Sequence, residues 1–281
     1  MTPQSFAFIS GLVRRECGLV LTADKSYLIE SRLTPVARRW KMATIDEFVA
    51  GLAKSASRDM VRDVVEAMVT NESFFFRDKN PFDQFRDMVL PRLLATRAAQ
   101  KHIRIWCAAA STGQEPYTLA MLLKEAEARL KGWLVDILGT DVSTEVLARA
   151  KAGVYTQFEV QRGLPVQFLV KYFKKLDDKW EIAPSLKAMV DFRPFNLLED
   201  PKALGRFDVV FCRNVLIYFD QEMKGRILDR ISRQMAPDGV LYLGGAETVL
   251  GLTTRFQPMP QQRGIYALTG AADPMPQRIA V

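Results

Sequence analysis

The feature that most constrains this chain is a change of hydrophobic period near Ile103. Before it, the stretches "FAFISGLVRREC", "SYLIESRLTPVARRWKM", "TIDEFVAGLAKS" and "SRDMVRDVVEAMVT" place apolar residues three and four apart, as amphipathic helices do. After it, short apolar runs ("IRIWCA", "VDILGTD", "MVDFRPFN", "FDVVFCRN", "GVLYLGG", "GIYAL") alternate with helical stretches that begin near Glu115, Thr144 and Gln221. Alternation of strand and helix predicts a mostly parallel sheet covered on both faces, so the fold class is a doubly wound α/β domain behind a small all-helical one. Thr44 and Ser57 are expected N-caps, and Glu47 is spaced to complete a capping box with Thr44.

The same patterns set the expected organisation. Residues 1–70 form the helical domain, 71–90 a linker, and 91–270 the α/β domain. The linker holds "NESFFFRDKNPFDQF", too aromatic to be loose, and "YFKKLDDKWEI" interrupts the α/β rhythm as a short antiparallel insertion at about 165–192. Residues 271–281 carry two prolines and no amphipathic period, and are expected to be a disordered tail.

With 281 residues, 48% of them hydrophobic and 25% charged, the chain can bury a sizeable core. No apolar run approaches the roughly 18 residues of a membrane span, so no membrane insertion and a cytoplasmic location are expected. Cys17, Cys107 and Cys212 lie far apart and only one histidine is present, which argues against a disulfide framework or a metal site. A Ser-His-Asp or Cys-His mechanism would have to use His102, at the start of its strand and away from the following turn. The net charge of +7 favours an acidic partner without choosing between nucleic acid, lipid and protein.

Ligands of a doubly wound sheet lie outside the carboxyl ends of its strands. Gly113 follows the first expected strand, Asp141 closes the second, Asn196 follows the third and Arg213-Asn214 close the fourth. A carboxylate such as Asp141 can accept from two vicinal ribose hydroxyls; it could equally cap the helix in "DVSTEV". Glu115 could complement a helix dipole, yet it would repel a phosphate, and no lysine follows Gly113 as a phosphate loop requires. A nucleoside carrying positive charge fits better. S-adenosylmethionine has a sulfonium, an ammonium and a ribose diol, so a methyltransferase is favoured over a nucleotide dehydrogenase.

The segments "NESFFFRD", "WCAAASTGQEPYTLAM", "GTDVS", "FNLL" and "FDVVFCRNVLIYFD", in this order behind a helical domain, resemble the CheR-type protein-glutamate O-methyltransferases of bacterial chemotaxis over roughly residues 8–268. The resemblance implies a Rossmann-like methyltransferase domain, S-adenosylmethionine as methyl donor with S-adenosylhomocysteine as product, and glutamyl methyl esters on the cytoplasmic domains of chemoreceptors. It carries cofactor binding to Asn71, Ser73, Arg77, Glu115, Asp141, Asn196, Leu197, Arg213 and Asn214, while small Ala108 to Ala110 and Gly113 are read as letting the cofactor lie against the turn. Tyr218 matches a tyrosine near the methyl group, and Arg77 and Tyr218 are the expected catalytic pair. Ser73 departs from the family's usual threonine but keeps a hydroxyl. In the family, the helix region holding Arg32, Arg38 and Arg39 faces the receptor's acidic helices, so these three are expected to dock substrate. Recruitment to membrane-bound receptor arrays and a monomeric state are also expected. Some members grip a C-terminal receptor pentapeptide with a glycine-rich loop on the small subdomain; "KKLDDKW" has no glycine and is shorter, so no tether binding is expected.

A substrate glutamate with a pKa of about 4.3 is already ionised at neutral pH, so methyl transfer to it needs alignment and no general base. Arg77 could hold the substrate carboxylate, or could pair structurally with Asp78 or Asp83; Phe74-Phe75-Phe76 are read as packing. Two rival functions remain on the sequence, a nucleic-acid methyltransferase and a cofactor-sensing module without catalysis. Against the first, "CRNVLIYF" lacks the [DN]-P-P-[YF] turn used on exocyclic amines and no Pro-Cys pair is present. Against the second, Arg77 and Tyr218 are both retained.

Overall fold

A computed structural model describes residues 1–55 and 57–271, so the expected disordered tail falls, from position 272 on, outside the described residues. Helices α1 (Pro3–Cys17), α2 (Ser26–Arg39), α3 (Ile45–Lys54) and α4 (Arg58–Met68) bring their spaced apolar residues together. Ile9, Val13, Ile29, Leu33, Phe48, Leu52, Val64 and Met68 form one buried core. α2 runs through Pro35 without ending. Both expected caps are in place, with Thr44 Oγ1 accepting from the Glu47 N–H at 3.1 Å and Ser57 Oγ from the Met60 N–H at 3.1 Å. The Glu47 carboxylate turns back to the Ala43 N–H at 2.8 Å, one residue ahead of the cap, so the reciprocal half of the box is displaced.

The linker leads into α5 (Asn80–Gln84), which continues through a π-helical turn (Phe85–Val89) into α6 (Leu90–Thr96). The remaining elements are β1 (His102–Cys107), α7 (Gln114–Glu125), β2 (Leu134–Asp141), α8 (Thr144–Ala152), β3 (Val154–Thr156), α9 (Gln157–Gln161), α10 (Val166–Tyr172), β4 (Phe173–Leu176), β5 (Lys179–Ile182), α11 (Pro184–Lys187), β6 (Val190–Pro194), β7 (Phe207–Cys212), α12 (Gln221–Arg233), β8 (Met235–Leu243), β9 (Phe256–Pro258) and β10 (Ile265–Leu268). The main sheet has the order β6-β2-β1-β7-β8-β10-β9. Its strands are parallel from β6 to β8, and β10 and β9 pair antiparallel at the edge. Strand order reverses between β1 and β7, which opens a crevice above their carboxyl ends.

Side-chain alternation along β1 divides the interior into two layers. Ile103, Ile105 and Cys107 join Leu119, Ala120 and Leu123 of α7 on one face. Trp106 joins Ile227, Leu228 and Ile231 of α12 on the other. The helix expected to begin near Glu115 starts at Gln114 and stops at Glu125, and is followed by a separate turn at Glu127–Leu130. The helix starting at Gln221 stops at Arg233 because Met235 pairs with Phe207 in the sheet.

The insertion forms a second sheet, in the order β3-β5-β4, that draws its third strand from Val154–Thr156, ahead of the 165–192 stretch. Asp177 and Asp178 alone join β4 to β5, with Asp177 at a φ of 49°. The aromatic linker packs chiefly on this unit. Phe75 is fully buried with its ring 5.0 Å from Tyr155 and 5.5 Å from Phe173, and Phe76 stacks on Phe168 at 5.2 Å.

Candidate functional site

A cleft enclosing about 920 Å³, its open mouth included, lies at the reversal point of the sheet. Its walls come from three parts of the chain. Cys17 and Leu19, at and just beyond the end of α1, form one; Val69 to Ser73 and Arg77 of the linker form another; the loops after β1, β2, β6 and β7 supply the third. Of the residues expected from sequence, Asn71, Ser73, Arg77, Glu115, Asp141, Asn196, Leu197, Arg213, Asn214 and Tyr218 all line it.

Gly113 does not. It adopts a φ of 94°, and a Cβ there would sit 3.0 Å from the Tyr117 ring and 3.1 Å from Ala150 Cβ. The glycine serves the left-handed turn and the packing of α7 on α8.

Asp141 ends β2 as a buried carboxylate. Its Oδ2 accepts from the Ser111 N–H at 2.9 Å and its Oδ1 from the Ser143 N–H at 3.0 Å. Capping of α8 belongs to Ser143, whose Oγ takes the Val146 N–H at 3.2 Å, so the alternative role for Asp141 is filled by another residue. Burial raises the Asp141 pKa; the N–H groups of Ser143 and Ser111 oppose that shift and the charge of Glu66 adds to it. A carboxylate offers about four lone-pair sites, so two acceptor positions remain for a pair of hydroxyls.

Glu115, in the first turn of α7, is also buried and its pKa is raised by burial, against the pull of Arg213. Arg213 Nη1 donates to Glu115 Oε2 at 2.8 Å, and Arg213 Nη2 donates to Asp78 Oδ2 at 2.8 Å and to the Arg77 carbonyl at 2.9 Å. With its side chain only 1% exposed, this arginine stitches the linker to the turn after β1. Its Nε is buried with no acceptor among the described residues.

Arg77 is half-buried, donates from Nη1 to the Glu72 carbonyl at 3.0 Å and lies 5.5 Å from the Phe74 ring. The carboxylates weighed as its structural partners are engaged elsewhere, Asp78 with Arg213 and Asp83 with Arg86 at 3.0 Å. Strain accompanies this segment, since Phe76, Asp78 and Lys79 hold φ values of 53°, 65° and 46°. Such backbone persists only where its surroundings hold it. Asn196 spends both ends of its side chain inside the protein, donating to the Glu16 carbonyl at 2.5 Å and accepting from the Leu198 N–H at 3.0 Å.

The arrangement suits S-adenosylmethionine. Asp141 offers acceptors for a diol, Glu115 and Glu72 supply negative charge, and Val142, Phe195 and Leu197 supply apolar wall for a base. Among the described residues no lysine lines the cleft. His102 lies at the opposite end of β1, its Nε2 2.8 Å from Asp136 Oδ2, and burial pushes the thiols of Cys107 and Cys212 well up. Among the described residues no group of acidic, histidine and cysteine side chains could hold a metal ion.

The three docking candidates separate. Arg38 and Arg39 are exposed, with Arg39 3.6 Å from Asp63. Arg32 is half-buried and turns inward, donating from Nη1 to the Met68 carbonyl at 2.7 Å and from Nη2 to Thr70 Oγ1 at 3.1 Å. It braces the start of the linker. Sequence reasoning missed Cys17 and Leu19 as cleft wall and missed Glu66 altogether. From α4, Glu66 accepts from the Thr144 N–H at 2.7 Å, from Thr144 Oγ1 at 2.9 Å and from Ser143 Oγ, covering the N-terminus of α8 beside Asp141.

Comparison with known proteins agrees with this geometry. Residues 71–265 match the family model described as "CheR methyltransferase, SAM binding domain", and residues 4–69 match "CheR methyltransferase, all-alpha domain". The chain is 40% identical over 266 residues to "Chemotaxis protein methyltransferase 1" of Pseudomonas aeruginosa, covering 92% of this chain and 96% of that protein. It is 37% identical over 268 residues to the "Chemotaxis protein methyltransferase" of Vibrio parahaemolyticus, covering 94% and 96%.

Proposed function

Because this chain belongs to the CheR family of S-adenosylmethionine-dependent chemotaxis protein methyltransferases, we propose that it esterifies glutamate side chains on the cytoplasmic domains of bacterial chemoreceptors. The observation that carries the reading is a cleft with two buried carboxylates and two arginines, Tyr218 in its wall, and no histidine. Transfer to an already ionised glutamate requires only such a set.

S-adenosylmethionine, when bound, supplies a methyl group on a positively charged sulfur. Asp141 would hold the ribose hydroxyls; Glu115 and Arg213 would face the amino-acid end; Asn71, Ser73, Asn196, Leu197 and Asn214 would complete the cofactor wall. Arg77 offers its planar fork of donors to the substrate carboxylate, and the Tyr218 hydroxyl orients it. The helical segment 1–70 and the linker 71–90 would close over the methyltransferase unit 91–270, excluding water and aligning the reacting groups.

Arg38 and Arg39 dock the receptor's acidic helices, while Arg32 acts on docking through the linker that it braces. The two-residue Asp177-Asp178 turn has no loop to fold over an added strand, which supports recognition of receptors without a pentapeptide tether. No helix among the described residues is long and apolar enough to cross a membrane. A cytoplasmic monomer recruited to receptor arrays is the state consistent with this reading.

The test is methyl transfer from labelled S-adenosylmethionine to receptor-bearing membranes and to total RNA. Base-labile label on receptor alone is expected. Label in RNA, or cofactor binding without any transfer, would favour the nucleic-acid or the non-catalytic alternative.

A further inference from the structure

The loop after β7 carries five residues of the cleft wall, Arg213, Asn214, Val215, Tyr218 and Phe219, yet little of its own sequence explains its shape. Asn214 sits at a φ of 58°, a left-handed conformation uncommon for a residue with a side chain. The cause lies on the neighbouring strand. β8 runs parallel to β7 with Cys212 opposite Leu243, so the two chains leave the sheet side by side. Four residues past the end of β8, Glu247 folds back with its carboxylate buried beneath the loop.

Four backbone N–H groups converge on that carboxylate. Its Oε2 accepts from Asn214 at 2.7 Å and from Gly244 at 2.6 Å. Its Oε1 accepts from Val215 at 2.9 Å and from Ile217 at 3.3 Å. Among the described residues no lysine or arginine forms an ion pair with Glu247, so these N–H groups are what compensates its burial. Only a carboxylate has acceptors for four donors and no hydrogen of its own; glutamine would turn an NH₂ toward at least one N–H. Gly244 makes the approach possible, because a Cβ there would lie 2.6 Å from Asn214 Nδ2 and 2.7 Å from Glu247 Oε2. Glu247 itself is not among the residues lining the cofactor cleft.

We propose that Glu247 is a positioning residue for methyl transfer: with Gly244 it fixes the 213–217 loop, and through it the placement of Asn214 and Tyr218. The inference rests on the reading of Tyr218 as a group that orients the substrate carboxylate. Loss of the carboxylate frees the loop from its left-handed turn at Asn214, and the tyrosine then samples orientations that do not serve transfer.

The test measures kcat and the KM for receptor in E247Q and G244A, each in the wild-type and the Y218F backgrounds, with circular dichroism to establish folding. Alone, each variant should lower kcat ten-fold or more with KM changed less than three-fold. In the Y218F background the further loss should shrink to three-fold or less, since groups that act through one another are non-additive. Equal losses in both backgrounds would mean general destabilisation and overturn the proposal, as would kcat within two-fold of wild type in E247Q. If neither variant folds, the carboxylate serves the fold and not the site, which overturns it equally. Y218F at full rate would remove the role given to Tyr218 and, since Glu247 is read as acting through it, overturn the proposal by a route that the Y218F rate alone distinguishes.

Discussion

At the scale of single residues, the cleft depends on carboxylates that water no longer solvates. Because burial raises the Asp141 pKa above its unfolded value, this group's contribution to stability is present in full below the ordinary aspartate range and is lost as pH rises through the raised value. Cofactor hydroxyls need the ionised form, so affinity should run the other way. The Kd of S-adenosylhomocysteine is expected to rise as pH falls through that window, and calorimetry on D141N should show no such dependence. At neutral pH D141A should lose two charge-assisted bonds of about 1.5–3 kcal/mol each, a Kd weaker by about a hundred-fold or more. Arg213 poses the complementary case. Its removal strands Glu115 with its charge buried, and breaking a buried pair costs about 3–5 kcal/mol, so R213M should show that loss in urea unfolding. E115Q in the same chain should recover part of it.

At the scale of elements, legibility followed distance along the chain. Asp141, Glu115 and Arg213 could be read because each stands at or beyond the carboxyl end of a strand, where topology alone gathers residues. Glu66 could not: in "RDMVRDVVEAM" it occupies the polar side of an amphipathic helix, and only the docking of α4 against α8 reveals its partners. Gly113 was legible as a turn but not as a packing device, since Tyr117 and Ala150 come together only in three dimensions. Glu66 caps α8 from another element, and cap losses cost about 0.5–2 kcal/mol. E66A should therefore lower the unfolding midpoint by a few degrees and weaken S-adenosylhomocysteine several-fold, as a thermal scan with and without ligand would show. The β4–β5 hairpin yields a negative expectation. A receptor tether peptide with an aromatic-acidic-aromatic ending should give no heat on titration, and micromolar binding would mean that the sheet edge suffices without a loop.

At the scale of the whole molecule, charge and connection matter more than any one contact. A chain of net charge +7 meeting an acidic receptor helix is steered by attraction that salt screens beyond roughly 8–10 Å. Reversing Arg38 and Arg39 to glutamate should raise the KM for receptor at low salt and flatten its salt dependence, with kcat nearly unchanged. R32A should differ, weakening cofactor instead, because its donors hold Met68 and Thr70 at the head of the linker. The helical unit is tied to the sheet by a handful of polar links: Glu66 on α8, Asn196 on the Glu16 carbonyl, the Val20 N–H on the Tyr218 carbonyl at 3.0 Å, and Arg14 on Asp220 at 2.7 Å. Between those links lies the cleft, so a molecule seated there touches both sides and acts as mortar. Occupancy and attachment then become one equilibrium, stabilised by RT ln(1 + [L]/Kd). A protease would sense the difference: chain starved of methyl donor would be clipped first in the part of the linker ahead of α5, and survival would follow the cell's supply of donor and product.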